Sequence, residues 1–213
     1  MRFISTRGNA PAVTASEAIL QGLAPDGGLY VPEEFPQISM RTLAQASSYP
    51  ELAYEVMAPF FIGDVLENQL AEICMEAFDF PVEMHWHSDR EAVLELFWGP
   101  TAAFKDFGAR FLAVCMERLL KLQSRKLTIL VATSGDTGGA VAAAFHGREG
   151  ISVRCFSQKV GFQHGRKSSL SVGAETLRPT QWMECSMIAN AWLSRLSWML
   201  RFRLTKGCPL QTA

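Results

Sequence analysis

Phe97–Arg110 reads FWGPTAAFKDFGAR. A single lysine, Lys105, stands in it between Phe104 and Phe107. Gly99 and Pro100 break the apolar run AVLELF (92–97), which reads as a buried strand. Beyond the break, apolar residues at Phe107, Phe111, Leu112, Val114, Cys115, Leu119 and Leu122 predict a helix over 105–122. Lys105 therefore falls where a strand ends and a helix begins, the place where open α/β sheets bind ligands. A lone lysine at such a point also reads simply as a solvated cation. A helix start is a poor place for one, because the helix dipole there favours anions. Walled by two aromatic rings, the amine is expected to lose water, which disfavours its charged form. A neutral amine attacks an aldehyde carbon to form a Schiff base.

A second stretch lies at a matching position. TILVATS (128–134) reads as a β-branched strand, GDTGG as a tight turn and AVAAAF as a helix of small residues. Ser134, Gly135, Asp136, Thr137 and Gly138 then open a helix, where N–H groups and hydroxyls face an anion. The same glycines also serve to cap a helix. A P-loop is excluded, because no Gly-Lys-Ser/Thr follows.

Together GPTAAFKDFGARF and ATSGDTG resemble the two lysine-side motifs of threonine synthase, a pyridoxal-phosphate enzyme of the tryptophan-synthase-like fold type II class. TASEAILQGLAPDGGLYVPEEFP near the start and FIGD (61–64) resemble the family as well, and the likeness runs from residue 1 to about 156. It implies an α/β protein with an N-terminal lobe (1–85) followed by the start of a parallel-sheet domain (86–156), truncated relative to the family. It implies that Lys105 holds pyridoxal 5'-phosphate as a Schiff base and acts as base in converting O-phospho-L-homoserine and water to L-threonine and phosphate. Phe104 would wall the cofactor and Asp136 would lie near its 3′-oxygen. Ser134, Gly135, Thr137 and Gly138 would grip the substrate carboxylate. Asp136 reads equally as a helix cap, and Asp106 with Arg110 as a structural ion pair on the helix. A different pyridoxal-phosphate lyase, or a truncated fragment without catalysis, are the competing readings.

The remaining chain reads in order. MRFIST is a short strand, and Thr14 or Ser16 caps a helix ending at Gly22. APDGG is a turn and LYVPEEFP a short extended segment. Residues 54–61 and 65–78 predict two amphipathic helices parted by Gly63, and DFPVEMHW an irregular link. From residue 92 onward strands and helices alternate, which predicts a parallel sheet.

A net charge of −1 gives no nucleic-acid footprint over the whole chain. No apolar run nears the roughly 18 residues that span a bilayer, and MRFISTRGN has no signal-like apolar core, so the expected location is cytoplasmic. Five scattered cysteines without CxxC spacing predict reduced, mostly buried thiols. His85 and His87 are two apart with no cysteine or carboxylate cluster beside them in sequence, so no metal site is expected. The oligomeric state is not encoded in any pattern.

Residues 157–213 differ in character. Residues 1–156 hold 12 basic and 19 acidic residues, whereas 157–213 hold 8 basic and 2 acidic. A basic tail often marks nucleic-acid or membrane contact. Another origin fits better. Back-translated and shifted by one base, SQKVGFQHGRKSSL can read PKGRVSARQEKQL, and GCPLQTA can read LSASNS in the same register. The family carries segments close to both at those places. The tail is therefore expected to be out of frame, and the chain as written to lack the family's second glycine-rich loop, which cradles the cofactor phosphate.

Overall fold

The computed structural model describes residues 1–132, 136–156 and 201–204, which fall into two compact units, Met1–Leu119 and Leu120–Ala213.

The first unit opens with β1 (Phe3–Ser5), paired antiparallel with β2 (Tyr30–Pro32). Between them lies α1 (Ala15–Gln21), started by a capping box in which Thr14 and Glu17 satisfy each other's backbone N–H groups. The APDGG turn packs closely. A Cβ on Gly28 would stand 2.1 Å from Ser5 Oγ, so only glycine fits there. The Asp26 carboxylate gathers the same turn, accepting from Ser5 Oγ at 2.7 Å, Gly28 N at 2.9 Å and Asn9 N at 3.0 Å. The Ser5 hydrogen bond is the main reason its pKa is lowered from the ordinary carboxylate value.

Helices follow: α2 (Met40–Leu43), α3 (Tyr49–Met57) and α4 (Leu70–Ala77), with single 3-10 turns at Ala58–Phe61 and Glu67–Gln69. The two expected amphipathic helices are thus present. The first begins five residues earlier than its apolar spacing suggests, because Ser48 caps it through Glu51 N and Pro50 suits its first turn. Asp64, nearly buried, joins α1 to this region: its carboxylate accepts from Ser16 N at 2.8 Å, from Ser16 Oγ and from Leu66 N at 2.9 Å.

Residues 79–98 depart from expectation. In place of an irregular link and a buried strand there is a hairpin, β3 (Glu83–Ser88) against β4 (Glu91–Glu95), antiparallel with an irregularity between Trp86 and Ser88. Both strands are almost wholly exposed, and β4 belongs to no parallel sheet. The Asp89-Arg90 turn, two residues long, makes the antiparallel return possible.

From Lys105 the chain forms α5 (Lys105–Gln123). Its apolar stripe closes the core of the first unit: Val114, Cys115 and Leu119 lie with Phe61, Leu66, Leu70, Ile73, Cys74 and Phe78 at 6% exposure or less. The aromatic part is edge-on and stacked, with Phe78 on Phe111 at 6.1 Å and 8° and Tyr49 edge-to-face on Phe78 at 5.2 Å.

The second unit holds β5 (Leu127–Ala132), α6 (Asp136–Phe145) and β6 (Ile151–Phe156), with β5 and β6 parallel in the register Leu127↔Ile151 to Ala132↔Phe156. This is the β-α-β unit expected from the alternation. α6 can bury nearly its whole length because Gly138, Gly139, Ala140, Ala142 and Ala144 are small. One strand was not expected: β7 (Arg201–Leu204) pairs antiparallel along the other side of β5, giving the order β6-β5-β7. An antiparallel strand beside a parallel pair satisfies β5 backbone groups that would otherwise be open.

Candidate functional site

Two loop-to-helix junctions carry the residues singled out by the sequence, one in each unit.

The first is built by residues 96–106. Gly99 is obligatory: a Cβ there would lie 2.5 Å from Asp106 Oδ2 and 2.7 Å from Asp106 Cβ. The chain then turns on itself, with Ala102 N donating to Gly99 O at 3.0 Å and Asp106 N to Ala103 O at 3.0 Å. Ala102 takes φ 54°, in the left-handed region. The Asp106 side chain, 1% exposed, accepts from Thr101 N at 2.8 Å and Thr101 Oγ1 at 2.7 Å, locking the turn onto the first helical residues. Lys105 is the first residue of α5, half-buried, and its Nζ stands 4.4 Å from the centroid of the Phe104 ring.

Only one of the two expected aromatic walls is present. Phe104 is 60% exposed and touches the amine. Phe107 instead turns into the core, 4.9 Å from Phe80 and 5.7 Å from Tyr49. On a helix, positions two apart point about 200° from each other, so Lys105 and Phe107 cannot share a face.

The Asp106–Arg110 ion pair does not form. Arg110 Nε donates to Ala77 O at 2.7 Å and Nη2 to Glu76 O at 3.0 Å and to Asp79, so it satisfies the carbonyls at the end of α4. Asp106 spends its oxygens on Thr101. Both residues are structural, with different partners from those expected.

At the second junction α6 starts at Asp136, which is exposed; Thr137 is half-buried and Gly138 buried. A helix start of this kind presents N–H groups to an anion. Ser134 and Gly135 lie outside the described residues.

The thiols Cys74, Cys115 and Cys155 are buried and free. Burial pushes the Cys74 and Cys155 thiols up to about 11 and Cys115 higher still, which makes them poor nucleophiles. Cys185 and Cys208 lie outside the described residues.

One constellation escaped the sequence. The hairpin register sets Glu83 opposite Glu95 and puts His85 beside them. The alternation of EMHWHS around a two-residue turn was the signal for it. Among the described residues, no helix is long and apolar enough to cross a membrane.

Comparison with known proteins bears on the chain as a whole. Residues 2–78 match the family model described as the threonine synthase N terminus. The chain is 42% identical over 147 residues to the threonine synthase of Pseudomonas aeruginosa, which takes in 66% of this chain and 31% of that enzyme. It is 36% identical over 189 residues to the threonine synthase of Methylobacillus glycogenes, covering 80% of this chain and 40% of that enzyme. Among solved structures, a pyridoxal-phosphate-bound threonine synthase from Brucella melitensis superposes with a TM-score of 0.74 and 37% identity, over 79% of this chain and 38% of its own. The yeast threonine synthase superposes at 0.67 and 30% identity, over 75% and 36%. The chain thus spans between about a third and two fifths of these relatives. The mixed helix–strand fold described above is shared with them, and this chain carries the N-terminal portion of the threonine synthase family.

Proposed function

We propose that Lys105 is the cofactor-bearing lysine of a threonine synthase, a pyridoxal-phosphate-dependent lyase that turns O-phospho-L-homoserine and water into L-threonine and phosphate. One observation carries this reading: a half-buried lysine at the first position of a long helix, its Nζ against one aromatic ring, on a turn braced by Asp106. Each junction, taken by itself, fits part of the chemistry. In the first unit Lys105 supplies a half-buried primary amine and Phe104 a flat apolar surface; in the second, Asp136, Thr137 and Gly138 supply a helix start suited to an anion.

When bound, pyridoxal phosphate acts as an electron sink for charge developing on an amino-acid substrate. Lys105 would hold it through Nζ and, once exchanged for the substrate amine, move protons at Cα and Cβ. Phe104 would lie along the cofactor and exclude water from one side. Thr137 and Gly138, with Ser134 and Gly135, would bind the substrate carboxylate, and Asp136 would lie near the 3′-oxygen. Each of these assignments follows the matching motif residue by residue.

The proposal extends to the tail. Residues 157–213 are read as translated out of frame, on the strength of their inverted charge and of the two family-like segments recovered in one shifted register. The M. glycogenes match takes in more of the chain than residues 1–156, so the point where the frame changes is fixed by the DNA. Residues 1–213, taken by themselves, are expected to bind cofactor weakly and to release no phosphate, because the stretch read as out of frame stands where the family continues past the last matching strand.

The test is reduction with borohydride in excess pyridoxal phosphate, followed by peptide mapping, beside a phosphate-release assay. The expected result is label on Lys105 with no phosphate release. Label absent from Lys105 overturns the site. Phosphate release overturns the inactivity, and a nucleotide sequence incompatible with the shifted segments overturns the frameshift. A different pyridoxal-phosphate lyase remains the second reading; a substrate panel on an intact homologue separates it.

A further inference from the structure

The β3–β4 hairpin carries a group of side chains that the lysine chemistry does not use. Glu83 and Glu95 are directly opposite in the antiparallel register, and His85 lies on the same face two residues along. Like charges directly opposite destabilise an antiparallel pair, so the arrangement favours a positive charge between them. The imidazole supplies part of an answer, with His85 Nε2 3.3 Å from Glu95 Oε1. One nitrogen and one oxygen from each carboxylate all lie within 4.8 Å of one another.

A second observation concerns Glu95 itself. Its other oxygen, Oε2, accepts from Trp98 Nε1 at 2.8 Å. The Glu95 side chain is only 17% exposed, against 61% for His85. The indole thereby fixes the carboxylate with Oε1 turned to the imidazole. Metal-binding carboxylates are held by partners of this kind, which orient the ligand before the ion arrives.

We propose that Glu83, His85 and Glu95 form a binding site for a divalent transition-metal ion of the zinc class, with Trp98 as the positioning residue for Glu95. Imidazole together with carboxylates suits zinc and its neighbours; magnesium and calcium prefer oxygen alone. Three protein ligands leave water to complete the shell. Ligand atoms bound about 2.0–2.2 Å from one ion lie closer to each other than 4.8 Å, so binding draws the exposed Glu83 side chain inward. This site is independent of the lysine chemistry proposed above and stands or falls without it.

The experiment is calorimetric titration of the full chain with zinc chloride alone, near neutral pH. The expected result is one saturable site. His85→Ala and Glu83→Gln each weaken it at least tenfold. Trp98→Phe, which keeps an aromatic ring but removes the N–H donor, weakens it on the order of tenfold, the size of effect seen when a supporting partner of a ligand is lost. His87→Ala, outside the cluster, binds as the parent does. Binding weaker than about 1 mM in the parent chain, or unchanged affinity in both His85→Ala and Glu83→Gln, overturns the proposal. Glu83 and His85 are exposed, and circular dichroism of each variant verifies that lost binding is not lost folding. Should His85→Ala fail to fold, Glu83→Gln and Trp98→Phe decide the matter.

Discussion

Asp106 holds Thr101 through both oxygens, at 2.8 Å from the backbone N–H and 2.7 Å from the hydroxyl, one residue along from Lys105. The lysine therefore inherits its place from a neighbour that never reaches the amine's own side. Asp106→Asn keeps the size but makes one of the two acceptors a donor, facing a group that donates. A hydrogen bond to a charged partner contributes about 1.5–3 kcal/mol, so urea unfolding is expected to show a loss of that order. Thr101→Val, which removes the hydroxyl alone, is expected to cost less.

Gly99 makes a separate prediction about the same turn. Its missing Cβ leaves room for the buried Asp106 carboxylate, and an added methyl would sit 2.5 Å from an oxygen and 2.7 Å from a carbon of that side chain. Gly99→Ala forces the two apart. Overpacking of this sort costs typically about 1–3 kcal/mol. The midpoint of denaturation should fall accordingly, and cofactor labelling of Lys105 should fall with it. Gly108, with nothing within 4 Å of its would-be Cβ, is the matched control; Gly108→Ala is expected to stabilise α5 by roughly 0.5–1 kcal/mol.

Asp64 predicts a larger effect. Its nearly buried carboxylate accepts two backbone N–H groups and the Ser16 hydroxyl. Asp64→Ala leaves those donors facing apolar surroundings, at about 1–3 kcal/mol for each buried group left unpaired. The expected outcome is a chain that folds poorly or not at all at ordinary temperature. Ser16→Ala, which removes one donor and leaves the acceptor paired twice, should be milder.

The thiols set a pH limit. Cys74 is raised from 9.0 to about 11 by burial. A group with a higher pKa when folded contributes stability that is complete below its unfolded pKa and is lost as pH rises through the folded one. Thermal midpoints should therefore decline between about pH 9 and pH 11, and Cys74→Ala should flatten part of that decline. In the native chain the described thiols should resist iodoacetamide at pH 8 and react once urea is added.

Much of this architecture was readable because local signals agreed with tertiary ones. A capping hydroxyl at Thr14 or Ser16 announced α1, the apolar spacing from Phe107 announced α5, and the strand-like run Thr128–Val131 followed by small residues announced the β-α-β unit. The lysine motif stood out in the sequence through the Gly99-Pro100 break and its likeness to a family motif, but the backbone needs behind it did not. Asp106 was expected to pair with Arg110 and instead locks the turn through Thr101, and the room that Gly99 leaves shows only in three dimensions. The hairpin was not legible, because an exposed antiparallel ribbon with apolar residues on both faces mimics a buried strand in composition. Met84, Trp86, Val93 and Leu94 are about half exposed or more. The environment of Lys105 was misread for a geometric reason. Flanking in sequence is not flanking in space once the chain becomes helical, and Phe107 went to Tyr49 and Phe80. The partners of Arg110 were missed because they are carbonyls, which sequence does not distinguish.

The core of the first unit draws on residues as distant as Ala15 and Leu119, and Met1 itself donates its terminal amine to Ile62 O at 2.7 Å. During synthesis the amino-terminal helices can pack on one another, but their shared core is completed only when α5 emerges. Domains fold as units while synthesis proceeds at about 5–20 residues per second, so several seconds pass between the emergence of α1 and that of its distant partner. A chaperone that holds nascent polypeptides has its natural window there, before the lysine has left the ribosome.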